Sequence, residues 1–450
     1  DDDIENLAEC DWIVEVVVEN LKIKRDLFEK IEKVRKPGAV ITSNTSGIPL
    51  KEISEGFSKE FKEHFMGTHF FNPVRYMHLL ELIPGKETLP EIMEFIAAFG
   101  EKNLGKGIVW AKDTPNFVGN RIGIQGIGAI MKAMVEDGLT FPEVDVIFGP
   151  AMGRPKTGIF KLADLVGLDT IINVCKNSYE LCPDDEQRDA LLLPDFVEKM
   201  AEKNLFGNKT QAGFYKTELT PEWKKLRKVL NPATMEYEDL VRPSFPCIDE
   251  AKKKATLKEK VDCVLNADDK GGKFAWKMAA NSFQYAANRV PEIADTIIEI
   301  DNSMKWGYNF EMGPFELWDA YGVQAACDRM EKEGLEVPAN VKDMLSSGAT
   351  SFYKLESGIK YFFDFASNEY KAVPVSKNMV SIAAAKGNNK TVMENASASL
   401  VDIGDGVFCA EFHTKMNALN AEIIEMLDQG LDYVDKNGEG LVIGNEAGGM

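Results

Sequence analysis

Histidine is scarce in this chain, with four in 450 residues. Two of the four lie in GTHFFNPVRYMHLLEL (67–82), where Glu81 follows His69 across an Asn72-Pro73 break. A histidine near the end of a sheet strand, with a carboxylate on one ring nitrogen, makes a general base. The other nitrogen is then free to take a proton from a substrate, and the carboxylate favours the imidazolium that forms. The same spacing also suits a core histidine and an unrelated surface glutamate. Ser46, in SNTSG, falls at the end of an expected strand, where open α/β sheets bind ligands; a turn or helix cap is the plain alternative. Asn120 near a helix start could donate to a substrate oxygen or be a surface amide. Lys22, Lys24 and Arg25 could meet a diphosphate or simply line a solvated helix face. GIQGIGA (123–129) lies inside a helix and follows no strand, so it predicts close helix packing rather than a dinucleotide loop. His64, His69 and His78 lack zinc-site spacing, and no metal is expected. His413 has no evident partner.

These groups need elements to hold them. DWIVEVVVE (11–19) predicts a buried strand. NLKIKRDLFEKIEKVR (20–35) predicts a helix with Leu27, Phe28, Ile31 and Val34 on one face, and PGAVITSNTS (37–46) a turn and strand. LPEIMEFIAAFG (89–100) predicts a helix with Pro90 in its first turn, a stripe of Ile92, Phe95, Ile96 and Phe99, and Gly100 as its stop. GIVWAKD (107–113) is a further strand. Strand–helix alternation at this spacing predicts a mostly parallel α/β sheet. From Asp113 the pattern turns helical, with Thr114 as cap and Pro115 at the first helical position. It stays helical to GFYK (213–216). TGIFKLADLVG (157–167) recurs as MGPFELWDAYG (312–322), aligning Gly158/Gly313, Phe160/Phe315, Leu162/Leu317, Asp164/Asp319 and Gly167/Gly322. Two related helical domains in tandem follow, joined by a proline- and charge-bearing segment at 217–258. Near the end, a strand at 406–412, a helix at 420–438 and a strand at 440–445 predict the start of a βαβ unit.

The bulk numbers narrow the function. Net charge is −20, from 52 basic and 72 acidic side chains, which argues against nucleic acid or an anionic membrane as main partner. No apolar run approaches the roughly 18 residues of a membrane span. Seven scattered cysteines without CxxC predict reduced thiols and a cytoplasmic setting.

VVVENLKIKRDLFEKI, ITSNTSGIPL, GTHFFNPVRYMHLLELI and KDTPNFVGNRI closely resemble the NAD-dependent L-3-hydroxyacyl-CoA dehydrogenases, in content, order and approximate spacing across most of 11–121. The two repeated segments resemble that family's helical C-terminal domain. SLVDIGDGVFCAEFHTKMNALN (399–420) resembles the opening of an enoyl-CoA hydratase (crotonase) domain. The implied fold is a partial α/β Rossmann domain (1–112), a first helical domain (113–219), a linker (220–258), a second helical domain (259–360), a connecting segment (361–397) and the start of a crotonase-like α/β domain (398–450). The resemblance implies NAD as cofactor and an acyl-CoA substrate in fatty-acid β-oxidation. It implies His69 as the base, Glu81 as its orienter, and Ser46 and Asn120 on the substrate oxygen. Glu19, Lys24 and Asn72 match family positions near the NAD ribose, diphosphate and nicotinamide. A homodimer and a thiolase partner stay open.

The family's Gly-rich loop, first helix and CoA-contacting lysine are not found in the sequence, nor are the hydratase's oxyanion-hole and acid/base groups. The expectation is an internal piece of a bifunctional enzyme, inactive alone. A 2-hydroxy- or sugar-acid dehydrogenase, and a non-catalytic member whose helical repeats serve assembly, are the alternatives. The second helical domain is expected to pack against the first.

Overall fold

The computed structural model describes residues 3–219, 223–356, 359–375, 380–414 and 417–445. The chain forms two compact units, 1–350 and 351–450. Among the described residues no helix is long and apolar enough to cross a membrane.

The first unit opens with a five-stranded sheet in the order β1-β2-β3-β4-β5. Its strands are β1 (Trp12–Glu15), β2 (Val40–Ser43), β3 (Phe65–Phe70), β4 (Leu79–Pro84) and β5 (Gly107–Trp110). The β1-β2, β2-β3 and β4-β5 pairings are parallel; β3-β4 is antiparallel. Between the strands run α1 (Leu21–Val34), α2 (Leu50–Ser54), α3 (Lys59–Glu63) and α4 (Pro90–Leu104). Every residue of β2 is buried, as expected of a parallel strand covered on both faces. On one side α4 sets Met93 and Ile96 against Val40, Met66, Leu80 and Leu82. Elsewhere in the domain Phe28, Phe57, Phe61 and Phe65 make four ring contacts with centroids 4.4 to 5.7 Å apart. Such pairs contribute about 0.5–1.5 kcal/mol each beyond area burial.

Three expected boundaries move. The strand expected over 11–19 ends at Glu15, and Val16 and Val18 are 70% and 64% exposed, because β2 ends at Ser43 opposite Glu15 and offers no further partner. Gly100 does not stop α4; it lies buried inside the helix, where a Cβ would meet Ile108 and Leu80 at 3.0 and 3.2 Å. The stop is Gly105, at φ +64°, a conformation glycine adopts without cost. The stripe shifts accordingly to Met93, Ile96 and Gly100, leaving Phe95 half exposed. The next helix starts at Gly119, not Pro115. Asn116 and Phe117, at φ +63° and +50°, turn the chain before it.

That helix, α5 (Gly119–Glu136), opens the first helical repeat, followed by α6 (Phe141–Ile147), α7 (Phe160–Val166), α8 (Leu168–Leu181) and α9 (Asp195–Glu202). A three-stranded antiparallel meander comes next: β6 (Tyr215–Leu219), β7 (Lys225–Leu230) and β8 (Tyr237–Asp239). Thus the segment read as a linker (220–258) carries two strands of this sheet, β7 and β8. The short α10 (Pro246–Ala251) and α11 (Leu257–Leu265) lead to the second repeat: α12 (Lys270–Asn288), α13 (Ile297–Tyr308), α14 (Pro314–Tyr321), α15 (Val323–Lys332) and α16 (Ala339–Ser346). The repeats share a device. In the first, buried Asp145 accepts the N–H groups of Ile159 and Phe160 where α7 begins, each at 2.7 Å. In the second, buried Asp301 accepts Phe315 N and Glu316 N at 2.9 and 3.1 Å where α14 begins. Each carboxylate satisfies helix N–H groups that have no intrahelical partner. As expected, the repeats pack together, with α12 and α13 against α5.

The second unit begins with another antiparallel meander, β9 (Tyr353–Glu356), β10 (Ile359–Asp364) and β11 (Glu369–Ala372). After α17 (Ile382–Gly387), strands β12 (Thr391–Glu394), β13 (Ala398–Gly404) and β14 (Val407–Phe412) pair antiparallel. Helix α18 (Ala421–Asn437) then crosses to β15 (Gly440–Ile443), parallel to β14. The expected βαβ unit is present, and α18 buries Ile423, Met426 and Val434 against Ala398, Leu400 and Phe408.

Candidate active site

His69 and Glu81 are directly opposite in the antiparallel β3-β4 ladder, so both side chains leave the sheet on one face. His69 Nδ1 lies 2.5 Å from Glu81 Oε2. Glu81 is fully buried and His69 is 8% exposed. The other carboxylate oxygen, Oε1, accepts the backbone N–H groups of Val118 and Gly119 at 3.0 and 2.8 Å. These belong to the start of α5, a position that favours negative charge. Glu81 is thereby fixed from both sides. With its Nδ1 proton donated to Glu81, the imidazole keeps Nε2 as acceptor, and Nε2 has no partner among the described residues. Phe71 and Phe117 hold the ring edge-on, with centroids 5.0 and 5.6 Å away.

The left-handed Asn116 and Phe117 explain how α5 arrives at this angle. Strain of this kind costs on the order of 1–3 kcal/mol per residue and clusters at functional sites. Asn116 is buried; its amide donates to Ser178 Oγ on α8 at 2.5 Å, and its backbone N–H donates to Ser46 O at 2.9 Å. Asn120, second residue of α5, donates to Ser46 Oγ at 3.3 Å. Ser46, Phe117 and the 113–115 turn line a cavity of about 10 Å³, room for one water. The structure therefore joins His69, Glu81, Asn120 and Ser46 through the single turn 116–120. Sequence reading missed Asn116, Phe117 and Ser178; the TPNF turn before the helix was the available signal.

Glu19 lies beyond the carboxyl end of β1, with its side chain 42% exposed. Its Oε1 accepts Thr45 Oγ1 at 2.5 Å and Gly47 N at 2.8 Å. Lys24 is 1% exposed, paired with Glu15 at 3.0 Å and Glu19 at 3.3 Å. Arg25 is tied to the carbonyls of Glu52 and Glu55, while Lys22 pairs with Asp26 in solvent. Asn72 is exposed in the loop after β3. The remaining histidines are held structurally: His64 on Glu60 O and His78 on Gly105 O. His413 does have partners, Ser399 Oγ at 2.8 Å and Glu411 Oε2 at 3.3 Å. Both contact the same nitrogen, so the group cannot relay a proton from one to the other. The glycines of 123–129 do serve close packing: a Cβ on Gly123 would lie 2.2 Å from Tyr308 of α13, and one on Gly128 2.2 Å from Ala190 O.

Residues 1–114 match the family profile "3-hydroxyacyl-CoA dehydrogenase, NAD binding domain", and residues 117–217 match "3-hydroxyacyl-CoA dehydrogenase, C-terminal domain". A "Probable 3-hydroxybutyryl-CoA dehydrogenase" of Deinococcus radiodurans is 36% identical over 215 residues, 48% of this chain and 74% of that protein. The chain belongs to the 3-hydroxyacyl-CoA dehydrogenase family. A "Probable 3-hydroxyacyl-CoA dehydrogenase" of Bacillus subtilis is 43% identical over 446 residues, 99% of this chain. The chain spans 56% of that relative's length. The crystal structure of a 3-hydroxybutyryl-CoA dehydrogenase from Escherichia coli K12 superposes with TM-score 0.57 at 20% identity, covering 77% of this chain and 84% of that one. It supports the fold.

The family's cofactor is NAD, bound by the domain that residues 1–114 match. Val16 and Val18 are exposed where β1 ends. Glu19 and Asn72 set a carboxylate and an amide at the carboxyl ends of β1 and β3, the edge where such sheets bind nucleotides.

Proposed function

We propose that this chain carries the dehydrogenase site of a fatty-acid β-oxidation enzyme, oxidising L-3-hydroxyacyl-CoA to 3-oxoacyl-CoA. The observation that carries this reading is the buried His69–Glu81 contact with Nε2 left free. His69 Nε2 takes the 3-hydroxyl proton. Glu81 stays on Nδ1, sets the tautomer and stabilises the imidazolium. Ser46 Oγ and Asn120 Nδ2 hold the substrate oxygen within reach of that nitrogen. NAD, when bound, supplies the acceptor for the hydride leaving C3. Glu19 and Asn72 meet its nicotinamide half, and Lys24 holds Glu19 in place for that contact. His69→Gln, in protein made from the complete coding sequence, is expected to lower kcat by about 10²–10⁴ in acetoacetyl-CoA reduction. Wild-type kcat in that variant would sink the proposal.

A second activity is favoured by one stretch. The 399–420 segment that resembles a hydratase opening forms β13 and β14, and α18 then crosses to parallel β15. We read it as the start of a crotonase-like domain. Hydration of crotonyl-CoA by the complete protein tests this. A homodimer, a thiolase partner and a cytoplasmic setting belong to the same reading, and size-exclusion chromatography with light scattering tests the dimer.

A further inference from the structure

A cavity of about 40 Å³ lies between the two helical repeats. From the first repeat it is lined by the face of α5 that carries Gly123, Gly126, Ile127 and Ile130; α12 and α13 add Met278 and Met304. Into this apolar setting projects Arg154. Its guanidinium is packed between two rings, 4.7 Å from Phe148 of the first repeat and 4.5 Å from Phe310 after α13. No carboxylate, carbonyl or hydroxyl accepts from it among the described residues, and burial alone holds it down to about 10. The Tyr308 hydroxyl lines the same cavity and also lacks a hydrogen-bond partner among the described residues. A guanidinium and a phenol thus line one largely apolar space and leave hydrogen-bonding capacity facing it. At about 10–15 Å³ per water-sized group, the space of about 40 Å³ holds roughly three to four such groups, the size of acetate.

We propose that this cavity binds a short aliphatic carboxylate. Its oxygens meet the Arg154 guanidinium and the Tyr308 hydroxyl, and its carbons lie against Ile127, Ile130, Met278 and Met304. Arginine suits the role because its planar fork matches a carboxylate with two parallel hydrogen bonds. Two sources share this chemistry. One is a free short-chain acid. The other is the far end of an acyl group held in the dehydrogenase site. Asn120 lies on the same helix, one turn before Gly123. Ring contacts lead from His69 to Phe71, Tyr308 and Phe310, with centroids 5.0, 5.8 and 6.0 Å apart, and so to Arg154. The second source rests on the proposed dehydrogenase reading; the first does not.

The test is a thermal melt of the complete protein with acetate, against acetamide and chloride at matched ionic strength. Acetate is expected to raise Tm and the others not. Arg154→Gln should weaken acetate roughly tenfold to a hundredfold, the effect of losing a charge-assisted pair. Gly126→Leu keeps the arginine and fills the space, since nothing lies within 4 Å of a Cβ there; it should abolish the shift. Equal shifts with acetate and acetamide, no shift at all, or an acetate shift that survives both substitutions would each overturn the proposal. A second arm compares kcat/KM for a six-carbon 3-hydroxyacyl-CoA ending in carboxylate with its methyl-ended counterpart. A preference of tenfold or more for the first, lost in Arg154→Gln, assigns the site to the substrate tail; no preference assigns it to a free acid. Failure of the dehydrogenase reading abolishes both rates and leaves the melts unchanged.

Discussion

In the proposed mechanism Glu81 acts only through His69, and both are needed for the proton transfer. Its Oε1 is held by two backbone N–H groups and its Oε2 by the imidazole. In Glu81→Gln the amide oxygen keeps the backbone partners and the amide nitrogen turns to His69. That nitrogen donates, so Nδ1 must accept, and the ring proton moves to Nε2. The base loses its lone pair where it is needed. The expected loss in kcat is about 10²–10⁴, with KM little changed. The Glu81→Gln/His69→Gln double variant should be no slower than either single one, because the two act as a unit. Steady-state kinetics of the three proteins decides, and losses that multiply would break the unit. The His69–Glu81 contact was legible through the resemblance; spacing alone left a core histidine and a surface glutamate open, because it does not fix the register that sets the two residues opposite each other. Lys24 was not legible, because a lysine near a strand end reads the same whether its ammonium faces a phosphate or, as here, a buried Glu15.

At the scale of elements, the strands and helices of residues 11–112 were legible in kind but not in their boundaries. An apolar run such as 11–19 does not reveal that its neighbour strand stops at Ser43. Gly100 and Gly105 look alike in sequence; only the approach of Ile108 and Leu80 makes the first a packing glycine. The two meanders were missed although GFYK (213–216) and SFYK (351–354) open them. Tyr237 donates to Gly213 O at 2.5 Å and Tyr370 to Ser351 O at 2.6 Å, so a tyrosine returning to the opening turn recurs in each unit. Gly123 gives an element-level prediction. Gly123→Ala improves helix propensity, but its methyl meets the Tyr308 ring end, so a net loss of about 1–3 kcal/mol is expected in denaturant unfolding. Asp164 gives another. It accepts Phe214 N and Tyr215 N at 2.8 and 2.9 Å, joining α7 to β6, and burial pushes its carboxyl from 3.8 up to about 6. A raised carboxyl binds its proton more tightly when folded. Its contribution is therefore complete below about pH 4 and fades as pH rises through 6. Asp164→Asn does not titrate, so its stability relative to wild type should improve by up to about 3 kcal/mol between pH 4 and 7. An unchanged difference across that range would refute the assignment.

At the scale of the 1–350 unit, one residue beside the active site binds the repeats together. Arg121 follows Asn120 on α5, so a single helix turn holds the amide that donates to Ser46 Oγ and a buried guanidinium. Arg121 is 2% exposed. It reaches Cys182 Sγ at 2.8 Å and Asp185 at 2.7 Å within the first repeat, and Tyr285 Oη at 2.7 Å and Glu292 at 3.0 Å in the second. Tyr285 in turn donates to Asp185 at 2.7 Å, and Arg289 lies 3.3 Å from the same carboxylate. Removing one member of a buried pair costs about 3–5 kcal/mol, because the other charge is left uncompensated. Arg289 still faces Asp185, so Arg121→Met should fall near the lower end, about 3 kcal/mol, in the denaturant midpoint. Replacing both Arg121 and Asp185 by apolar residues removes the stranded charge, so the double variant should lose less than the sum of the singles, with a coupling of about 0.5–3 kcal/mol. If the network only fills space, the losses will add and the coupling will vanish. If it also sets the start of α5, Arg121→Met will lower kcat beyond what stability explains, since the same turn supplies the N–H groups that hold Glu81.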